Sequence, residues 1–172
     1  MLELSRLILE GKNISFEELP CEDQELTFDI LCQKLKESIQ IDTFNQDTLK
    51  TLNLYNSTIG YNNAAGILAD KNHFPGIDMV KFGENISVIH KRATFDNRSV
   101  LAVYEKALEV FKDYYQYEEI EGANRKKIER IPETAFREAI ANALIHRAWD
   151  VDSQTGLCRN IRNGNYTNKT VL

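Results

Sequence analysis

Residues 130–149, RIPETAFREAIANALIHRAW, decide the fold. Apolar residues recur here at helical spacing, and Pro132 sits where a proline suits the first turn of a helix. Within that helix Glu138, Asn142 and His146 fall at i, i+4 and i+8. Each four-residue step drifts by only about 40° around the axis, so the three polar side chains form one stripe. Ala135, Phe136, Ala139, Ile140, Ala141, Ala143, Leu144 and Ile145 surround it. That surround predicts a largely buried helix whose stripe faces a ligand or a second protein layer. A carboxylate can orient or deprotonate a water, and an amide one turn on can ligate Mg²⁺ through its carbonyl oxygen. The same stripe also suits a polar seam, with the three groups bonded to neighbouring backbone. The residues alone leave both readings open.

A chain of 172 residues with 42% apolar side chains can bury one proper core and is too short for two large domains. The formal net charge is −5, and the lysines and arginines are scattered apart from Arg125, Lys126, Lys127 and Arg130. No basic stripe suited to a phosphate backbone is visible, and the small cluster reads as a solvated strand edge. The three cysteines, Cys21, Cys32 and Cys158, have neither metal-ligand spacing nor an even count. Reduced thiols in a cytoplasmic protein are therefore the expectation. No apolar run approaches the ~20 residues of a membrane span, so no membrane partner is expected. His73, His90 and His146 lie far apart in sequence, which argues against a zinc site.

Working outward, residues 2–9 suit a short helix ended by Gly11, and the acidic ISFEELPCEDQEL, broken by Pro20, reads as a connector. Helical spacing at Phe28, Leu31, Leu35 and Ile39, and more weakly at Leu49, Leu52 and Leu54, predicts two short helices over 27–39 and 46–54. Residues 64–69, 77–82 and 86–95 read as three neighbouring strands, the last two a hairpin after Pro75 and Gly76. From Val100 to Tyr115 the apolar positions predict a long amphipathic helix, with Asp96, Asn97 and Ser99 available as caps. A loop around Gly122 precedes a short strand over 126–131. Beyond Asp150 the polar, asparagine-rich segment has no periodic apolar residues, so it is expected to be a disordered tail. The expected organisation is a helical connector over 1–60, an α+β core over 61–150 and the tail over 151–172. Its core is a mixed sheet with a β-hairpin or meander, packed with two long helices.

With these residues in hand the chain resembles the RecG-like transcriptional regulators, which join a Schlafen-like, Alba-type DNA-binding domain to a divergent ATPase-like region. The resemblance spans residues 14–150 and rests on ISFEELPCED, YNNAAGILAD, FPGIDMVKFG and above all PETAFREAIANALIHRAW. This last block is similar to the Glu/Asn box of the GHKL ATPases, which implies a partial GHKL-like half-domain. The resemblance implies that Glu138 orients or activates the attacking water and Asn142 holds the Mg²⁺ of ATP. It places His146 beside the phosphates, with Arg147 shaping the same end. The family continues the block with an Asp and an aromatic, whereas Ala148 and Trp149 stand here, so no role carries to position 148. The family's DNA-binding domain and its later adenine-holding segments are not recognisable in this sequence. The resemblance thus implies a fragment whose parent binds DNA through a separate domain and whose own ATP site is incomplete. The rival reading is a non-catalytic module for protein interaction or homo-oligomerisation.

Overall fold

The computed structural model describes residues 11–12, 14–83, 85, 87–121, 124–129, 131–150 and 155–159, of which 116–121, 124–129 and 155–159 are described as backbone only. The expected helix over 2–9, the side chains of Arg125, Lys126, Lys127, Arg130 and Cys158, and the tail past Arg159 lie outside the described residues. The fold is α+β. It divides into two compact units: one within Met1–Phe74, Asn97–Leu101 and Trp149–Val151, the other within Pro75–Asp96, Ala102–Ala148 and Asp152–Leu172.

In the first unit helix α1 spans Asp29–Ile39 and stops where Gln40 turns left-handed at φ 54°. Its start has Phe28 at the cap position, which offers no capping oxygen. Asp70 supplies the cap from a distance: its carboxylate accepts from the N–H of Asp29 at 2.8 Å and of Ile30 at 2.9 Å. Helix α2, Gln46–Thr51, is capped locally, since the Asn45 side chain accepts from the N–H groups of Asp47 and Thr48. Strands β1 (Tyr55–Asn56) and β2 (Gly60–Tyr61) form a two-residue hairpin. Gln24 clasps it, accepting from Tyr61 N–H at 2.8 Å and donating to the carbonyls of Tyr61 and Cys21.

Residues 64–69 are not the expected strand. They belong to helix α3, Asn63–Leu68, whose N-cap Asn62 accepts from Ala65 N–H at 3.0 Å. A short apolar run does not distinguish a strand from a buried helical turn. Here the cap and the core decide, because Ala65 and Ala69, one turn apart, are both fully buried in a cluster with Phe28, Leu31, Leu49 and Leu54. Full burial of each such Leu or Phe is worth roughly 1.5–3 kcal/mol. That cluster moves the boundary of the first unit to Phe74 instead of residue 60, since α3 completes its core.

The second unit opens with the expected hairpin, β3 (Ile77–Phe82) antiparallel to β4 (Ile89–Phe95), in register from Ile77 opposite Phe95 to Lys81 opposite Lys91. Helix α4 covers Val100–Tyr115 as the periodicity predicts, and buries Val103, Ala107 and Phe111 at i, i+4 and i+8. Strands β5 (Gln116–Glu121) and β6 (Asn124–Glu129) pair antiparallel; the second falls close to the strand expected over 126–131, while the first was hidden behind the end of α4. Helix α5 is Glu133–Ile145, with Pro132 at the cap position, one residue earlier than expected.

The expectation of a wholly unpaired tail is corrected at one place. Strand β7, Thr155–Arg159, runs parallel to β3, so the sheet order is β4-β3-β7 and the sheet is mixed. A β ladder is built from main-chain N–H and C=O groups, which every residue here carries. A polar segment can therefore add to a ready template without an apolar pattern of its own.

Candidate functional site

Three large side chains orient α5. Phe136, Ile140 and Leu144 are buried, and Phe136 stacks on Phe111 of α4 with ring centres 4.2 Å apart and planes 14° from parallel. Phe111 stacks in turn on Tyr115 at 4.8 Å. Lys112 meets Glu133 at 3.5 Å, and a hydrogen bond to Tyr104 holds the Arg137 guanidinium more firmly protonated than usual. The polar stripe lies two residues further along than the apolar one, a rotation of about 200°. Glu138, Asn142 and His146 consequently occupy the opposite face, and all three are exposed.

This corrects the expectation of a largely buried helix. Ala135 and Ala139 are exposed, and Ile145 is 71% exposed. An alanine carries too little apolar area to demand burial, so an all-round run of alanines leaves the large residues to choose the inner face. The stripe itself is continuous, because the backbone N–H of His146 still donates to the Asn142 carbonyl at 3.0 Å.

Arg147 is engaged elsewhere within the same unit. Its guanidinium donates to the Gly76 carbonyl at 2.7 Å, while Gly76 N–H donates to the Asp96 carboxylate at 2.9 Å. Gly76 must be glycine there, since a Cβ would run into the Phe95 carbonyl oxygen. The residue expected to shape the end of the stripe thus also pins the base of the β3–β4 hairpin to the end of α5. Trp149, just beyond, sets its ring edge-on to Phe74 at 6.1 Å in the first unit.

Glu138 and Asn142 present a carboxylate and a carboxamide one turn apart on one outward face, with Cβ atoms about 5–6 Å apart by helix geometry. Among the described residues no group of three or more His, Cys, Asp or Glu side chains gathers as a metal site. A single carboxamide oxygen still suits Mg²⁺, which ordinarily takes one or two protein ligands and completes its octahedron with phosphate oxygens and water. The donor set therefore fits Mg²⁺ carried by a polyphosphate and does not fit a cation caged by protein alone.

Two polar arrangements escape a linear reading. On the hairpin Arg92 grips Asp78, with Nε 3.0 and 3.1 Å from the carboxylate oxygens and Nη2 at 2.8 Å, and the Thr94 hydroxyl donates to the same carboxylate at 3.1 Å. Lys81 and Lys91, directly opposite in register, both stand over the Tyr114 ring, at 5.8 and 5.6 Å from its centre. Burial, followed by the charges of Asp113 and Asp78, pushes the Tyr114 phenol up. Only the alternation within the hairpin, once its register is known, could have paired these residues. His73 stacks on Phe74 at 4.4 Å, and burial pushes the Cys21 thiol up. A groove of about 410 Å³ in the first unit, walled by Leu35, Ile39, Ile41 and Leu52 against Asn45 and Thr48, includes none of the stripe residues.

Among the described residues no helix is long and apolar enough to cross a membrane. No protein-family model matches the chain. No curated protein matches it either. Its fold is similar to the crystal structure of the DIP2311 protein from Corynebacterium diphtheriae, with a TM-score of 0.64 at 18% identity. That likeness covers 87% of this chain and 32% of the other, so the chain spans about a third of that protein's length. At this identity the likeness establishes the α+β fold and nothing about activity.

Proposed function

We propose that the chain is the middle to C-terminal part of a RecG-like transcriptional regulator and carries the metal- and water-facing half of a GHKL-like ATP site. The observation that carries this reading is the outward stripe on α5, where Glu138, Asn142 and His146 stay exposed while Phe136, Ile140 and Leu144 anchor the helix from behind. Rigid support under an exposed carboxylate and carboxamide is what a positioned site needs. In this reading Asn142 would hold Mg²⁺ through its carbonyl oxygen, Glu138 would orient or activate a water, and His146 would lie beside the phosphates. When bound, Mg²⁺ supplies charge neutralisation at the phosphoryl oxygens. Arg147 acts at one remove, by fixing the last turn of α5 to Gly76. DNA contact, in the same reading, belongs to a separate domain outside this sequence.

Half a site binds weakly, so the test is nuclear magnetic resonance with millimolar Mg-ATP, not a thermal shift alone. A millimolar site filled at millimolar ligand stabilises the fold by only ~0.4 kcal/mol. Magnesium-dependent shifts confined to Glu138, Asn142 and His146, absent in Asn142→Ala, are expected. No perturbation at these residues, or one that persists in Asn142→Ala, sinks the reading. The second reading, a module for protein interaction, is favoured by the 71% exposure of Ile145 beside the stripe and predicts no nucleotide response at all.

A further inference from the structure

Gly76 lies just outside the β3–β4 ladder, whose first pair is Ile77 opposite Phe95, and it is buried. Buried main-chain N–H and C=O groups need partners, and here two side chains supply them. The Asp96 carboxylate accepts from Gly76 N–H at 2.9 Å, and the Arg147 guanidinium donates to the Gly76 carbonyl at 2.7 Å. A Cβ on Gly76 would run into the Phe95 carbonyl, so the glycine lets the end of β4 pass close enough for Asp96 to reach it. Helix α5 benefits from such a hold at its far end. Its last buried side chain is Leu144, Ile145 is 71% exposed, and His146, the C-cap, is exposed too. The last carbonyls of a helix lack intrahelical partners, and helix ends fray. Arg147 follows the cap directly and is half-buried, so its grip on Gly76 restrains the turn that carries Asn142 and His146.

We propose that Asp96 is a positioning residue for the polar stripe of α5. By fixing Gly76 it keeps the Gly76 carbonyl where Arg147 takes it, and Arg147 in turn keeps His146 in line with Asn142 and Glu138. Removing the Asp96 carboxylate leaves the buried Gly76 N–H without its acceptor, a cost that the segment relieves by opening to water. The Gly76 carbonyl then moves off the Arg147 guanidinium, and the last turn of α5 loosens. The consequence for Mg-ATP rests on the nucleotide reading of the stripe; the link from Asp96 to His146 does not.

Hydrogen exchange and nuclear magnetic resonance of the whole chain, with and without millimolar Mg-ATP, test the link. In Asp96→Ala the His146 amide, which donates to the Asn142 carbonyl at 3.0 Å, is expected to quicken about ten-fold more than the mid-helix Ile140 amide. A general loss of stability would quicken both alike. Asp96→Asn, whose carboxamide oxygen still accepts from Gly76 N–H, restores the wild-type pattern. Arg147→Ala quickens His146 by the same factor, and the double variant adds nothing further, because both changes cut one link. Where the wild type responds to Mg-ATP, Asp96→Ala raises the Kd about three-fold or more, and Asp96→Asn returns it. A His146 amide no faster relative to Ile140 overturns the proposal. So do an Asp96→Asn variant that behaves like Asp96→Ala, additive effects in the double variant, or a Mg-ATP Kd that ignores Asp96→Ala. A wild type silent to Mg-ATP, with the exchange pattern as expected, sinks the nucleotide reading alone and leaves Asp96 supported as the residue that positions the stripe.

Discussion

Single residues set the local geometry of this chain, and two show how. Gly60 holds φ at +78°, and a Cβ there would press into the carboxamide of Gln24, so conformation and space demand glycine together. Asp70 caps α1 across a sequence gap of about forty residues, and its carboxyl has a titration consequence. Partial burial, the largest influence on it, pushes its pKa up, but the N–H groups of Ile30 and Asp29 and the Thr27 hydroxyl together hold it below the usual carboxylate range. A depressed folded pKa means stability that is fully present above the unfolded value of ~3.9 and lost as pH falls through the folded value. Denaturant titrations of the wild type should therefore show stability declining in that acid window. Asp70→Asn is expected to lower stability at neutral pH by about 1 kcal/mol and to flatten the acid decline. An equally steep decline in the variant would show that another carboxylate is responsible.

Helix α5 makes the sharpest contrast at the scale of the element. Its two stripes have identical spacing and opposite tasks: Phe136, Ile140 and Leu144 attach the helix, and Glu138, Asn142 and His146 face out. Phe136→Ala removes the ring stacked at 4.2 Å on Phe111 and should cost about 3–5 kcal/mol. Glu138→Ala and Asn142→Ala, at exposed positions, should each change unfolding free energy by less than about 0.5 kcal/mol. Thermal or chemical unfolding reads both. If either stripe variant destabilises the fold like Phe136→Ala, the stripe is a structural seam and the site reading fails. The helix and its polar spacing were legible in the sequence, but its exposure was not, because alanines at 135, 139, 141 and 143 look apolar without requiring burial. Residues 64–69 misled for a related reason: six apolar residues fit a strand or a helical turn equally, and a neighbouring cap settled the matter.

Over the whole molecule, the net charge of −5 and the absence of a basic stripe bear on DNA. The chain alone is expected to bind duplex DNA no better than an ordinary acidic protein, with no steep salt dependence, as measured by fluorescence anisotropy across a salt series. Submicromolar, salt-sensitive binding would contradict this and turn attention to the cluster around Arg125. The sequence by itself determined the elements whose local physics is strong: α4 with its regular apolar spacing, the β3–β4 hairpin after Pro75 and Gly76, and the coincidence of Glu138, Asn142 and His146 on one line of a helix. These depend on neighbours a few residues away. Only the tertiary structure decided which face of α5 turns inward, that Asp70 caps α1, that Arg92 closes on Asp78, and that β7 adds to β3. Each of those depends on a partner far off in sequence, and the backbone ladder that recruits β7 is blind to the side-chain pattern from which a strand would have been read.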